Sequence, residues 1–197
     1  MRHLHSQNSG LTWIEAIVIL VVLSLLVLMA LPSISIGRPV MTQSLSNMRQ
    51  LLTATQAMVE DGVLKGNPNL NWPGDTGGTF SNWAAQLVPA YMHTNDFCKL
   101  LSAPGRTLPL DKIPAMSESA ILVYAVSEES PSNAVFLTTA NFTNTPTGGT
   151  TPLRNSIPYG DKGFVVFRKG GDGMIYRANQ TGPTNAHLIG AFAPLCQ

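Results

Sequence analysis

The chain has 197 residues, a formal net charge of +1 and only 12% charged residues, against roughly 25% in an ordinary soluble domain. A hydrophobic content of 44% excludes disorder over the whole chain, and no cluster of Lys and Arg is present to hold nucleic acid. The two cysteines, Cys98 and Cys196, are too few for a disulfide framework and lack CxxC spacing for zinc.

The first element is apolar. Between Glu15 and Arg38 lie 22 consecutive positions without Asp, Glu, Lys or Arg. As a helix they rise about 33 Å, close to the roughly 30 Å hydrocarbon core of a bilayer. No second stretch of this kind occurs, so at most one membrane span is expected. A secretory signal peptide needs a basic start, a shorter apolar core and a small-residue cleavage box. Here Glu15 sits at the mouth of the run and Met29-Ala30 makes a poor box. A plain signal anchor is the simpler alternative, and Arg2 on one side against Arg38 and Arg49 on the other leaves its orientation open.

The segment Ser9-Gly10-Leu11-Thr12-Trp13-Ile14-Glu15 runs directly into the apolar stretch. It resembles the processing site of type IV pilins and of the pseudopilins of type II secretion systems. The resemblance, which covers about positions 9 to 32, implies cleavage after Gly10 by a prepilin peptidase and methylation of the new amine on Leu11. Counting from Leu11, Glu15 is the fifth mature residue and Pro32 the twenty-second, both habits of that family. It further implies a cleaved leader over 1–10, a transmembrane helix half over 11–36, an amphipathic half over 37–62 and a periplasmic head over 63–197. Glu15 and Pro32 are then assembly residues. A carboxylate at the positive end of a helix neutralises an amine, its own or a neighbour's, although a snorkelling charge at the membrane edge reads the same way. Pro32 removes one helical hydrogen bond and kinks or ends the helix.

Beyond Pro39, Met41, Leu45, Met48, Leu52, Thr55 and Val59 recur every three or four residues as one helical stripe. Gln43, Ser44, Asn47, Arg49 and Gln50 are expected on the other faces, with Gly62 as the C-cap. From Asn67 to Pro114 the chain is rich in Pro, Gly, Asn and Trp. Turns are expected over 73–78, and a short helix over 81–88, capped by Ser81 and stopped by Pro89. Trp72, Trp83, Tyr91 and Phe97 are expected to pin this connection to the head. Strands are expected over 120–126, 134–139, 164–168 and 174–177, the last two joined by the hairpin Gly170-Gly171-Asp172-Gly173. The stretch from Asn141 to Tyr159 reads as a long exposed loop. The expected fold is α+β: a long N-terminal helix packed on a small antiparallel sheet.

Active-site chemistry is sparse. His93 and His187 stand alone, and neither an HExxH spacing, a GxSxG elbow nor a phosphate loop occurs. Glu128-Glu129 is read as a solvated surface turn, and the sequons at Asn141 and Asn179 as chance matches. No enzyme activity is expected. The function expected is that of a structural subunit, a pseudopilin of the type II secretion system in the bacterial inner membrane. Its expected partners are other copies of itself and other pseudopilins, the prepilin peptidase and the inner-membrane assembly platform. A surface pilin for adhesion, motility or DNA uptake, or an anchored periplasmic binding protein, are the alternatives. A disulfide between Cys98 and Cys196, closing a loop of about a hundred residues, stands against two buried thiols. No cofactor is expected except a calcium ion: the hairpin resembles the calcium-loop region of secretion-type pseudopilins, where Asp172, with Asp161 and backbone carbonyls, would bind Ca²⁺. A tight Asp-Gly turn explains the same residues.

Overall fold

A computed structural model describes residues 13–30, 37–144, 150–152, 157–177, 191–192 and 194–196. The chain divides into two compact units between Ile36 and Gly37.

The first unit holds helix α1, Trp13–Ala30, in which Glu15 in the first turn is the single charged residue. Its one hydroxyl is satisfied locally, Ser24 Oγ donating to the Val21 carbonyl at 2.8 Å. Side chains from Trp13 to Leu23 are exposed on every face, Trp13 at 83% and Leu20 at 69%. At 18 residues α1 spans about 27 Å. Among the described residues no helix is long and apolar enough to cross a membrane. The uncharged run itself continues past Ala30 to Gly37, over positions that lie mostly outside the described residues.

The second unit begins with α2, Gly37–Lys65. Its expected stripe faces inward: Met41, Met48, Leu52 and Thr55 are buried and Leu45 and Val59 partly so. The buried arc is wider than the stripe. Leu51 and Met58 join it, and so do Ser44 and Asn47, two residues expected on the outer faces. Their polar groups find partners in the core: Ser44 bonds the Tyr159 hydroxyl, which itself donates to the Val40 carbonyl at 3.2 Å. Asn47 Nδ2 donates to the Leu100 carbonyl at 3.2 Å. A short polar side chain is thus buried at little cost because each hydrogen bond lost to water is replaced.

The helix does not stop at Gly62. Asn67 N–H donates to the Gly62 carbonyl at 2.9 Å and Gly66 N–H to that of Val63 at 3.4 Å, a Schellman end. Gly66, at φ +63°, supplies the left-handed residue. Gly62 serves packing instead, since a Cβ there would lie 2.1 Å from the Leu70 carbonyl oxygen.

Helix α3, Phe80–Leu87, is capped by Thr79, whose side chain accepts from Asn82 N–H, rather than by Ser81. Helix α4, Thr94–Leu101, was not expected, because its eight residues show one short apolar patch and its cap residue His93 makes no side-chain cap bond. A 3₁₀ turn follows at Met116–Glu118. Trp72, Trp83 and Phe97 are buried as expected, and Tyr91 donates to Asp61 at 3.0 Å.

The strands are β1 (Ile121–Val123), β2 (Ala134–Thr139), β3 (Phe142–Asn144), β4 (Thr150–Pro152), β5 (Phe164–Arg168), β6 (Gly173–Tyr176) and β7 (Ala191–Phe192). Four form an antiparallel sheet in the order β1-β2-β5-β6, and β7 pairs with β2 in parallel. The loop expected over 141–159 contains structure: β3 and β4 pair antiparallel, and Phe142 stacks on Phe164 at 4.1 Å. Asn141 is buried and donates to the Gly160 and Gly163 carbonyls at 3.1 and 2.7 Å.

All six residues of β2 are buried because both faces of the sheet are covered. One face, with Phe136, Val165 and Phe167, joins α2, α3 and α4 in the main core. The other, with Val135, Phe164 and Val166, forms a second cluster with Tyr124 and Phe142. Two covered faces give a continuous apolar run rather than alternation. The fold of the second unit is α+β.

Candidate assembly site

The residues expected to act lie at the start of the chain, and Glu15 is the one that the structure places. It occupies the first turn of α1, where a carboxylate opposes the positive end of the helix dipole. Every neighbouring side chain on α1 from Trp13 to Leu23 is exposed, so this carboxylate sits on an apolar rod. Gly10, Leu11 and Pro32 lie outside the described residues, as does Asn179.

The two cysteines are free buried thiols, and the disulfide expected between them is not formed. Cys98 Sγ, on α4, contacts the Lys112 carbonyl at 3.2 Å. Cys196 lies beside β1, its N–H donating to the Val123 carbonyl at 3.0 Å. Burial pushes the Cys196 thiol up to about 12, and burial followed by the Asp111 carboxylate pushes Cys98 up as well. An unfolded thiol ionises near 8.5. Above that pH the unfolded chain releases protons that the folded chain keeps, so stability should fall as pH rises from about 8.5 upward. In a thiol titration at pH 8, folded protein is expected to react slowly at both positions and denatured protein to yield two thiols. A denatured yield of zero would establish the bond instead.

Asp161 and Asp172 do not converge. They flank opposite ends of β5, whose five residues extend about 16 Å. The Asp172 carboxylate is held by Arg168 Nη1 at 2.6 Å, and a guanidinium at that distance repels a divalent ion. The hairpin geometry is that of a turn: Arg168 N–H donates to the Asp172 carbonyl at 2.9 Å and Gly171 N–H to that of Arg168 at 3.0 Å. Among the described residues no group of three or more His, Cys, Asp or Glu side chains is placed to hold a metal.

A cation does organise the neighbouring 127–133 turn, and it belongs to the chain. Lys169 Nζ donates to the Glu128 and Ser130 carbonyls and lies 5.1 Å from the Trp72 ring centroid. Trp72 Nε1 donates to Glu128 Oε2 at 2.7 Å, and Asp75 accepts from the Glu128 N–H at 2.8 Å. Glu128, expected as a merely solvated charge, thus ties the 71–78 turns to the sheet. No sequence motif marks this arrangement, since its members come from three separate loops.

Comparison with protein-family models, with characterised proteins and with solved structures finds no match to this chain.

Proposed function

We propose that the chain is a pseudopilin, a structural subunit of a periplasmic filament of the type II secretion system. It is held in the bacterial inner membrane by its N-terminal apolar segment, with the second unit as its periplasmic head. The observation that carries this reading is α1: an apolar helix exposed all round, with one charge, Glu15, in its first turn, entered directly from Ser9-Gly10-Leu11. A helix that is apolar on every face requires lipid or other apolar helices around it. A filament whose subunits leave the membrane and pack helix on helix supplies both environments in turn. The head fits the same role, with the amphipathic α2 laid along the β5 and β6 side of the sheet. The remaining partners in this reading are the prepilin peptidase, which cuts Gly10–Leu11, and the inner-membrane platform on which subunits assemble.

Protein isolated from native membranes is expected to begin at Leu11 with a methylated amine and to lack Arg2, His3 and His5. Intact-mass and N-terminal peptide measurements check this. An uncut Met1, or a start near Leu31, would remove the pilin reading. Fibres on the cell surface at native expression would move the assignment from pseudopilin to surface pilin.

A further inference from the structure

The outward face of α2 has no partner within the second unit, and its charges are arranged. Arg49 and Glu60 stand eleven residues apart, which returns them to within about 20° of the same helical line. Both are exposed, and among the described residues neither is in an ion pair. Their nearest charged neighbours are already engaged: Asp61 pairs with Lys65 at 2.6 Å and accepts from Tyr91 at 3.0 Å. Those two contacts, Lys65 first, hold the Asp61 carboxyl below its ordinary range. Between Arg49 and Glu60 the exposed face carries Gln50, Thr53, Gln56 and Ala57, which are uncharged. Arg49, Thr53 and Ala57 border a groove closed on its other side by Tyr91 and Met92.

We propose that this face is an interface with a second copy of the chain, in which Arg49 of one subunit pairs with Glu60 of the next. Charge complementarity selects that occupant: the face carries one free positive and one free negative group, so it complements itself. The pairing requires either parallel helices offset by eleven residues, about 16 Å, or antiparallel helices related by a two-fold axis. The parallel offset leaves an unused Glu60 on one subunit and an unused Arg49 on the other. Such a head-to-tail contact continues from copy to copy, whereas a two-fold contact closes as a dimer. The proposal rests on the filament reading above and therefore takes the parallel form.

The two forms are separable by cysteine placement in the full chain in its native membrane. In the parallel form residue 46 of one copy lies beside residue 57 of the next; in the two-fold form residue 53 lies beside residue 56. Coexpressed Ser46→Cys and Ala57→Cys chains are expected to crosslink under mild oxidation, and a Thr53→Cys with Gln56→Cys pair is not. Arg49→Glu or Glu60→Arg alone should cut the 46–57 crosslink on the order of five-fold, the size of effect open to an exposed ion pair. The double reversal Arg49→Glu with Glu60→Arg should restore it, which a change in folding would not. Crosslinking at 53–56, or a 46–57 crosslink indifferent to both reversals, overturns the proposal. The Leu11 terminus, read on the same samples, tells the two failures apart. Correct processing with no 46–57 crosslink removes this interface alone, and an uncut chain removes the filament reading beneath it.

Discussion

Glu15→Ala is expected to leave membrane insertion and cleavage largely intact and to abolish or misregister assembly. The cut site at Gly10–Leu11 and the apolar run are untouched by the change, so the peptidase and the bilayer meet the same chain. What is lost is the single carboxylate of α1. Once the leader is removed, each subunit carries a new positive amine at the edge of a low-dielectric helix bundle. Unpaired, that charge would cost several kcal/mol to bury, and a neighbour's carboxylate recovers much of this. In this mechanism Glu15 sets the axial register of an incoming subunit, while the exposed aliphatic side chains of α1 supply most of the contact area. Crosslinking between adjacent subunits, alongside secretion, is the measurement. Normal assembly of the Glu15→Ala protein would count against the pairing mechanism and leave the family resemblance standing.

Trp83→Ala is expected to be the most damaging single truncation in the head. The ring is fully buried and meets Phe97 at 5.7 Å and Phe136 edge-on at 6.1 Å. Its Nε1 donates to Thr55 Oγ1 at 3.3 Å, while that hydroxyl donates to the Leu51 carbonyl at 2.8 Å. One side chain therefore joins α3, α4, the sheet and α2. Removal of a buried Trp costs about 3–5 kcal/mol, a large share of the roughly 5–15 kcal/mol that holds a domain together. The melting temperature should fall on the order of 10 °C. Trp83→Phe, which keeps an aromatic ring but loses the donor to Thr55, should cost less than half as much. Thermal unfolding of the full chain in detergent checks both, and a shift of only a degree or two for Trp83→Ala would show that the ring is not the hub.

Local elements of the head were legible where periodicity was strong. The stripe from Met41 to Val59 follows from the helical repeat, and the runs at 134–139 and 164–168 match β2 and β5, because β-branched and aromatic residues concentrate there. Caps were less legible. Thr79 took the place of Ser81, and Gly66 that of Gly62, since a helix end depends on which backbone groups lack partners and on what packs beside the glycine. The N-terminal motif was legible as a pattern at fixed offsets, and its meaning for assembly is a matter for the experiments above.

By itself the sequence determined the class of each long element and the contrast between an all-apolar first helix and an amphipathic second one. Periodicity and charge are properties of consecutive residues, so they survive without a fold. Only the tertiary structure decided what distant residues do together. Ser44 and Asn47 became core residues because Tyr159 and the Leu100 carbonyl reach them. Asp161 and Asp172 were separated because β5 runs straight between them. The turn suspected of holding calcium closes on Arg168, and the cation beside it is Lys169, brought over Trp72 from another loop. Each outcome depends on contacts between residues far apart in the chain, which no local pattern specifies.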